Sequence, residues 1–285
     1  MTKLLSKAAV VALSAIVASP CLSARTIWDG SADTEWEGDG SPGNPYLISS
    51  AAELAGLAKR TNANETFEGK YFRLTADLWL SDTATPDKDK PLWDPIGMSN
   101  INNDDPEQNP GGFWSEDFWF KGNFDGDGHT IHNLWYAHDS EFVDNFDDPF
   151  NDGTFDFTGW SKSLFGNIEN ATITNLKLEN ANIQSVLQGA ALVCVAKNST
   201  ITDIAVDGLI MCGTSEREGG AAGGIVAEAE GTTFERCSSA ASVRSVSGAG
   251  GLAAQLTSCT VKDCVSTGRV ASMRGAGGLA GFVLS

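Results

Sequence analysis

The side chains able to do chemistry fall into three groups. The first is histidine: all three residues of that type lie within ten positions, at His129, His132 and His138. His129 and His132 are three apart in a segment expected to be a strand. That spacing places them on opposite faces and argues against a shared metal ion. Just upstream, Asp125-Gly-Asp-Gly128 has the opening of a calcium loop but lacks the downstream glutamate of an EF-hand, so a tight turn is its expected role. The second group is the thiols. Beyond Cys21 the chain carries Cys194, Cys212, Cys237, Cys259 and Cys264, with no CxxC pair and no zinc spacing.

The third group is acidic and aromatic. Residues 99–120 hold Asp104, Asp105, Glu107, Glu116 and Asp117 without a lysine or arginine, and residues 137–160 hold seven acids, also without one. All eight tryptophans lie between Trp28 and Trp160. In the two acidic stretches Trp114, Trp119 and Trp160 could stack on a sugar, while Asp144, Asp147 and Asp148 accept from its hydroxyls or ligate calcium. The plainer alternative is that the aromatics pack these loops onto a scaffold and the acids stay solvated. No GxSxG elbow, P-loop or dinucleotide fingerprint is present, and no catalytic residue is assigned.

The elements that must position these groups show themselves as a repeat. A run of small residues followed by apolar ones recurs as Ser163-Leu-Phe-Gly166, Ala191-Leu-Val-Cys194, Gly224-Ile-Val-Ala227, Gly251-Leu-Ala-Ala254 and Gly278-Leu-Ala-Gly281. Their first apolar residues, Leu164, Leu192, Ile225, Leu252 and Leu279, are spaced by 28, 33, 27 and 27. Nine residues on stand Ile173, Ile201, Phe234 and Val261. Three further on stand Leu176, Ile204, Cys237 and Cys264, and then come Ile183, Ile210, Val243 and Val270. The segments between Gly and Asn punctuation are too short for helices and rich in branched apolar residues. A coil of this size cannot bury its apolar side alone, but stacked coils can. The wider 33-residue spacing implies a protruding loop around Cys212 to Glu218.

These columns set the expectation for the thiols: Cys237 and Cys264 point inward as small apolar residues. The alternative is a ladder disulfide, because adjacent coils lie at a separation that disulfides accept.

Ahead of the repeats, Ser50-Ala-Ala-Glu53 is a capping box for a short helix through Lys59, with Leu54, Leu57 and Ala58 on one face, expected to cap the stack. Phe72 to Leu80 alternates as a strand, and a second begins at Ile131.

The repeats resemble the GLUG motif, a Gly-Leu-Val-Gly-like unit of bacterial surface proteins that also occurs beside the β-solenoid regions of IgA1-specific metallopeptidases. The lead-in is similar too, in the order Asn44-Pro-Tyr-Leu-Ile48, Ala52-Glu-Leu-Ala55, Gly69-Lys-Tyr-Phe-Arg-Leu-Thr-Ala-Asp77, Trp93-Asp-Pro-Ile-Gly97 and Gly122-Asn-Phe-Asp-Gly-Asp-Gly-His-Thr-Ile131. Cys194, Ala227 and Ala254 depart from the motif's glycine. The resemblance implies an all-β fold, a right-handed parallel β-helix or β-solenoid with a short N-terminal capping helix. The chain has no HExxH, so the peptidase chemistry of some relatives is not implied.

Three segments are expected: a signal peptide at 1–24, a cap with the first coils and acidic insertions at 25–162, and GLUG-like repeats at 163–285 that stop inside a repeat. Lys3 and Lys7 precede an apolar run, Ala8 to Ala18, too short to span a bilayer. Pro20 before Cys21 argues against lipid attachment. Removing those two lysines takes the net charge from −18 to −20, which disfavours nucleic acid as a partner. The expected role is non-enzymatic adhesion or display at a cell surface or outside the cell, towards a glycan or a host or cell-surface protein. Cofactors are not expected, calcium excepted. An open last coil would accept further strand. The alternatives are a polysaccharide lyase or hydrolase on a parallel β-helix, and a structural spacer.

Overall fold

The computed structural model describes residues 25–84, 89–98, 118–136, 161–185, 187–213 and 220–285. Its short strands pair in parallel with the equivalent strands of the coils before and after: one 14-stranded sheet begins at Tyr46–Ile48, and two five-stranded sheets begin at Ser161–Lys162 and Phe165–Glu169. The chain is an all-β parallel β-solenoid.

The register is the one the repeat spacing demands. Ile173 pairs with Ile201, Ile201 with Phe234 and Phe234 with Val261. The same row runs upstream through Tyr46, Phe72 and Phe124. Ile173, Ile201 and Phe234 are fully buried, whereas Val261, in the last coil, is 37% exposed. A second row joins Tyr136, Ile183, Ile210, Val243 and Val270. The anchor leucines are linked by backbone bonds from coil to coil, among them Leu192 N–H to Ile225 O at 3.1 Å and Leu252 N–H to Leu279 O at 2.8 Å.

Corners are made by left-handed residues stacked in columns. Asn170, Asn198, Gly231 and Ser258 form one, with φ of 50°, 47°, 58° and 52°. Asn175, Asp203, Arg236 and Asp263 form the other, at 54°, 56°, 53° and 52°. Asn and Asp adopt this conformation more readily than other non-glycine residues, which accounts for the punctuation in the sequence. Glycine is obligatory elsewhere: at Gly223, Gly250 and Gly277 a Cβ would lie 1.7–1.8 Å from the carbonyl oxygen three residues on.

After several corners the next side chain bonds polar groups that the bend leaves free. The hydroxyls of Ser199 and Thr232 donate to the carbonyls two residues back, at 2.7 and 3.0 Å, and Cys259 Sγ does the same at 3.3 Å. In turn Ala171 N–H donates to Ser199 Oγ and Ser199 N–H to Thr232 Oγ1, one coil away. Cys237 and Cys264 repeat this pattern at the other corner: each Sγ meets the carbonyl two residues back, and Cys237 N–H donates to Cys264 Sγ at 3.4 Å. Both stand as free thiols; Cys237 is buried and Cys264 half-buried.

The helix spans Ala51–Thr61, and Ser50 and Glu53 form both bonds of the capping box. Leu54, Leu57 and Ala58 are buried and join the solenoid core beside Phe72 and Leu74. The expected strand from Phe72 to Leu80 is broken into Tyr71–Leu74 and Leu78–Trp79, because the chain turns a corner between them. The histidine placement also differs from expectation. His129 precedes the strand Thr130–His132 and is not part of it, so both rings are held outward, His129 beside Asp77 at 3.1 Å and His132 beside Glu179 at 3.6 Å.

One interior row changes character along the stack. Leu78, Ile131, Leu178 and Val206 give way to Ser239 and Ser266. Both hydroxyls are buried without a protein partner. Ser239 faces Gly224, whose Cβ position lies 2.2 Å from its Oγ, so the coil is too narrow there for valine.

Ser239→Ala, which removes an orphan hydroxyl without adding volume, should raise stability by up to about 1 kcal/mol in urea denaturation. Phe234→Ala should lower it by about 3–5 kcal/mol. Val261→Ala, at a side chain 37% exposed, should stay within about 0.5 kcal/mol of the parent.

Candidate functional site

The outer corner of the stack carries a shallow groove that crosses several coils. One part, about 530 Å³, is lined by Asp127, Asn175, Lys177 and Asp203. The next, about 280 Å³, shares Lys177 and continues past Asp207, Ser238 and Thr267. Its floor is narrow because Ala205, Ser238 and Val265 occupy one outward row in register.

The groove's polar groups are set by partners on neighbouring coils. Arg236 donates to both carboxylate oxygens of Asp203 at 2.7 Å, which holds Asp203 below the usual carboxylate range and raises Arg236. Glu235 accepts from Arg236 and from Lys262, the latter at 3.0 Å, and is likewise held low, chiefly by the Lys262 hydrogen bond. Upstream in the same outward row Arg73 pairs with Asp125 at 3.4 Å, and the Thr174 and Thr202 hydroxyls meet at 2.9 Å. Asp125 also accepts from Asp127 N–H and from Asn175 Nδ2, so the Asp125-Gly-Asp-Gly128 segment closes a turn with that carboxylate. Such surface pairs contribute little stability each, but they fix side-chain positions along the groove.

Beside it, His132 stacks on Trp79 with ring centres 4.5 Å apart, and Lys177 donates to Glu179 at 3.0 Å. Asp77 accepts from Thr130 N–H and contacts His129. Its desolvation is the largest single influence and acts upward, but these hydrogen bonds together outweigh it and hold Asp77 low. Among the described residues no group of three or more His, Cys, Asp or Glu could hold a metal ion.

The thiols are poor nucleophiles where they are buried. Burial pushes Cys194, Cys212 and Cys237 up to about 12, far above the range in which a thiolate forms near neutral pH. Lys162 is also perturbed, and no sequence signal pointed to it. Its ammonium lies 5.1 Å from the Tyr136 ring centre, and burial lowers its affinity for the proton.

Of the expected ligand-binding residues, Trp114, Trp160, Asp144, Asp147 and Asp148 lie outside the described residues, as does His138. Trp119 is packed, 6% exposed, with Lys197 Nζ 4.8 Å from its ring centre. The points where the acidic insertions leave the solenoid are defined. Asn167 N–H donates to Gly97 O, and Asn167 O accepts from Phe120 N–H, so the strand edge resumes across the first insertion. The second leaves after Tyr136, which pairs with Ile183, and returns at Ser161, which pairs with Gln188. At the same corner Gln188 also pairs with Ala221. Neither insertion breaks register: Phe72, Phe124 and Ile173 remain one row although 52 and 49 residues separate them in sequence.

No family model matches the chain. Halomucin of Haloquadratum walsbyi is 29% identical over 185 residues, covering 64% of this chain and 2% of halomucin. A crystal structure from Bacteroides ovatus, provisionally named an immunoglobulin A1 protease, superposes with a TM-score of 0.56 at 20% identity, over 86% of this chain and 64% of that one. A chain named IgA1 Protease aligns at a TM-score of 0.47 and 20% identity, over 84% of this chain and 16% of its own. The chain thus spans a small part of halomucin and under two thirds of the Bacteroides ovatus chain. The likeness to solenoid regions of IgA1 protease chains holds at the level of fold. Among the described residues no helix is long and apolar enough to cross a membrane.

Asp203 should titrate below the ordinary aspartate value of about 3.9. Because its folded value is depressed, its pairing stabilises the fold above that ordinary value, and the contribution disappears as pH falls through the folded one. Carboxyl-resolved NMR titration checks this: Arg236→Gln should return the Asp203 midpoint to the ordinary range.

Proposed function

We propose that this chain is a non-enzymatic binding module of the cell surface or extracellular space, with the solenoid as rigid scaffold and the acidic insertions as the source of specificity. The supporting observation is the conserved register across both insertions. About twenty residues of acidic and aromatic sequence are added at each of two points, and the stack on either side is unaltered. Chain added without structural consequence to the core is where recognition residues are accommodated.

The ligand class proposed is a glycan or a surface protein. Trp114, Trp119 and Trp160 supply apolar contact, and Asp144, Asp147 and Asp148 accept from hydroxyls or amides, with calcium as an auxiliary ligand. The Trp119 role requires it to turn out from its packed position beneath Lys197. A surface or secreted setting agrees with halomucin and with the IgA1 protease chains as relatives, and with the net charge of −18, which favours solubility. The raised thiols and the Asp203–Arg236 ion pair of the groove suit display better than covalent catalysis.

The test is a glycan and host-protein array probed with the protein, with and without calcium, beside a variant in which residues 137–160 are replaced by a short Gly-Ser linker. Binding that falls at least tenfold in the variant, with an unchanged circular dichroism spectrum, is expected. Equal binding by both proteins would make the solenoid a spacer. New reducing ends or unsaturated sugars after incubation would make it an enzyme.

A further inference from the structure

Cys237 and Cys264 occupy one corner position of consecutive coils, 27 residues apart. Pairs of bonded strands bracket them: Glu235 with Lys262 before, and Ser238 with Val265 after. That bracketing holds their Cα atoms at the inter-strand distance of about 4.8 Å, inside the range a disulfide spans. The Cys264 side chain also reaches its neighbour: Cys264 Sγ lies 3.4 Å from Cys237 N and accepts its N–H. Their burial differs, Cys237 being 1% exposed and Cys264 half-buried, so an outside reagent reaches one member first.

We propose that Cys237 and Cys264 are an oxidisable pair that forms an intrachain disulfide between successive coils, converting a hydrogen-bonded corner into a covalent tie. The co-reactant is a small-molecule disulfide such as oxidised glutathione. The Cys264 thiol loses its proton and its sulfur attacks one glutathione sulfur; the glutathione S–S bond breaks and the first glutathione thiolate leaves. Cys237 Sγ then attacks Cys264 Sγ while its proton passes to the departing second glutathione sulfur, so no free thiolate has to form at the buried position. One disulfide and two protein thiols become one protein disulfide and two molecules of reduced glutathione. The coil on the far side of the tie carries exposed apolar residues, Val265, Met273 and Val283 among them, so less buried surface holds it closed and a covalent tie constrains it most. The remaining thiols are placed differently. Cys194 and Cys212 are fully buried, and Cys259 meets Thr257 O at the opposite corner.

The reaction does not depend on the proposed binding role. Trypsin cuts after Arg236, Arg244, Lys262 and Arg269, which leaves each cysteine alone in a short peptide, 237–244 and 263–269. The full chain, fully reduced and then incubated with oxidised glutathione, would be denatured, alkylated and digested. The expected product is these two peptides joined, lighter by two hydrogens than their sum, with the alkylatable thiols of the chain reduced by two and restored by dithiothreitol. Three results would overturn the proposal: a lasting glutathione adduct on Cys264 with Cys237 alkylated, a link to Cys259 or to a second chain, or both thiols untouched. Cys237→Ser and Cys264→Ser serve as controls. Each should fold, because Ser199 and Thr232 make the same bonds with hydroxyls at the other corner, and each should abolish the joined peptide.

Discussion

Hydrogen bonding between successive coils, at a spacing of about 4.8 Å, is the constraint from which the other features follow. Each backbone donor finds its acceptor one coil away, so a residue's neighbours are those holding the same position in the adjacent repeats. Side chains must then suit copies of themselves. Interior rows become apolar, as from Phe72 through Phe124, Ile173 and Ile201 to Phe234. Outward rows become complementary: Arg73 faces Asp125, Thr174 faces Thr202, and Glu235 faces Lys262. Like charges at this distance would repel along the stack, and alternation removes the conflict.

Corners are where this scheme strains, because a bend takes backbone groups out of line with the next coil. The structure answers with two devices used together. A left-handed residue makes the bend, and at Ser199, Thr232 and Cys264 the residue after it uses a hydroxyl or thiol to bond its own chain and receive a donor from the coil before. Cysteine in such a place does the work of serine. The thiols at 237, 259 and 264 therefore share one structural logic, although only 237 and 264 sit together. Arg236, an uncomfortable residue in a left-handed bend, is offset by its two bonds to Asp203.

The same architecture separates scaffold from display. Stacking leaves the outside of every coil free, and an insertion costs only loop closure provided its ends meet. Gly97 and Phe120 flank the same residue, Asn167, of the next coil, which shows how closely those ends are held. The groove at the corner follows a row of outward residues in register, and Asp203 and Asp207 in it are bonded to Arg236 and to Asn180 N–H.

Much of this was legible in the sequence, because a solenoid writes its tertiary contacts as a sequence period. The rows, the stacking order, the capping box at Ser50 and Glu53 and the anchor leucines all follow from spacing, since position in the repeat fixes position in the stack. Other features needed the fold. Whether His129 lies in a strand or before it decided which way its ring points, and a one-residue boundary is not encoded in periodicity. The pairing of Asp203 with Arg236, the burial of Lys162 against Tyr136 and the narrowness that leaves Ser239 unpartnered depend on side-chain packing between residues far apart in sequence. The repeat determined which residues are neighbours; only three-dimensional packing decided what each pair of neighbours does, because polar partners and exposure are settled by distances of a few tenths of an ångström that no spacing rule carries.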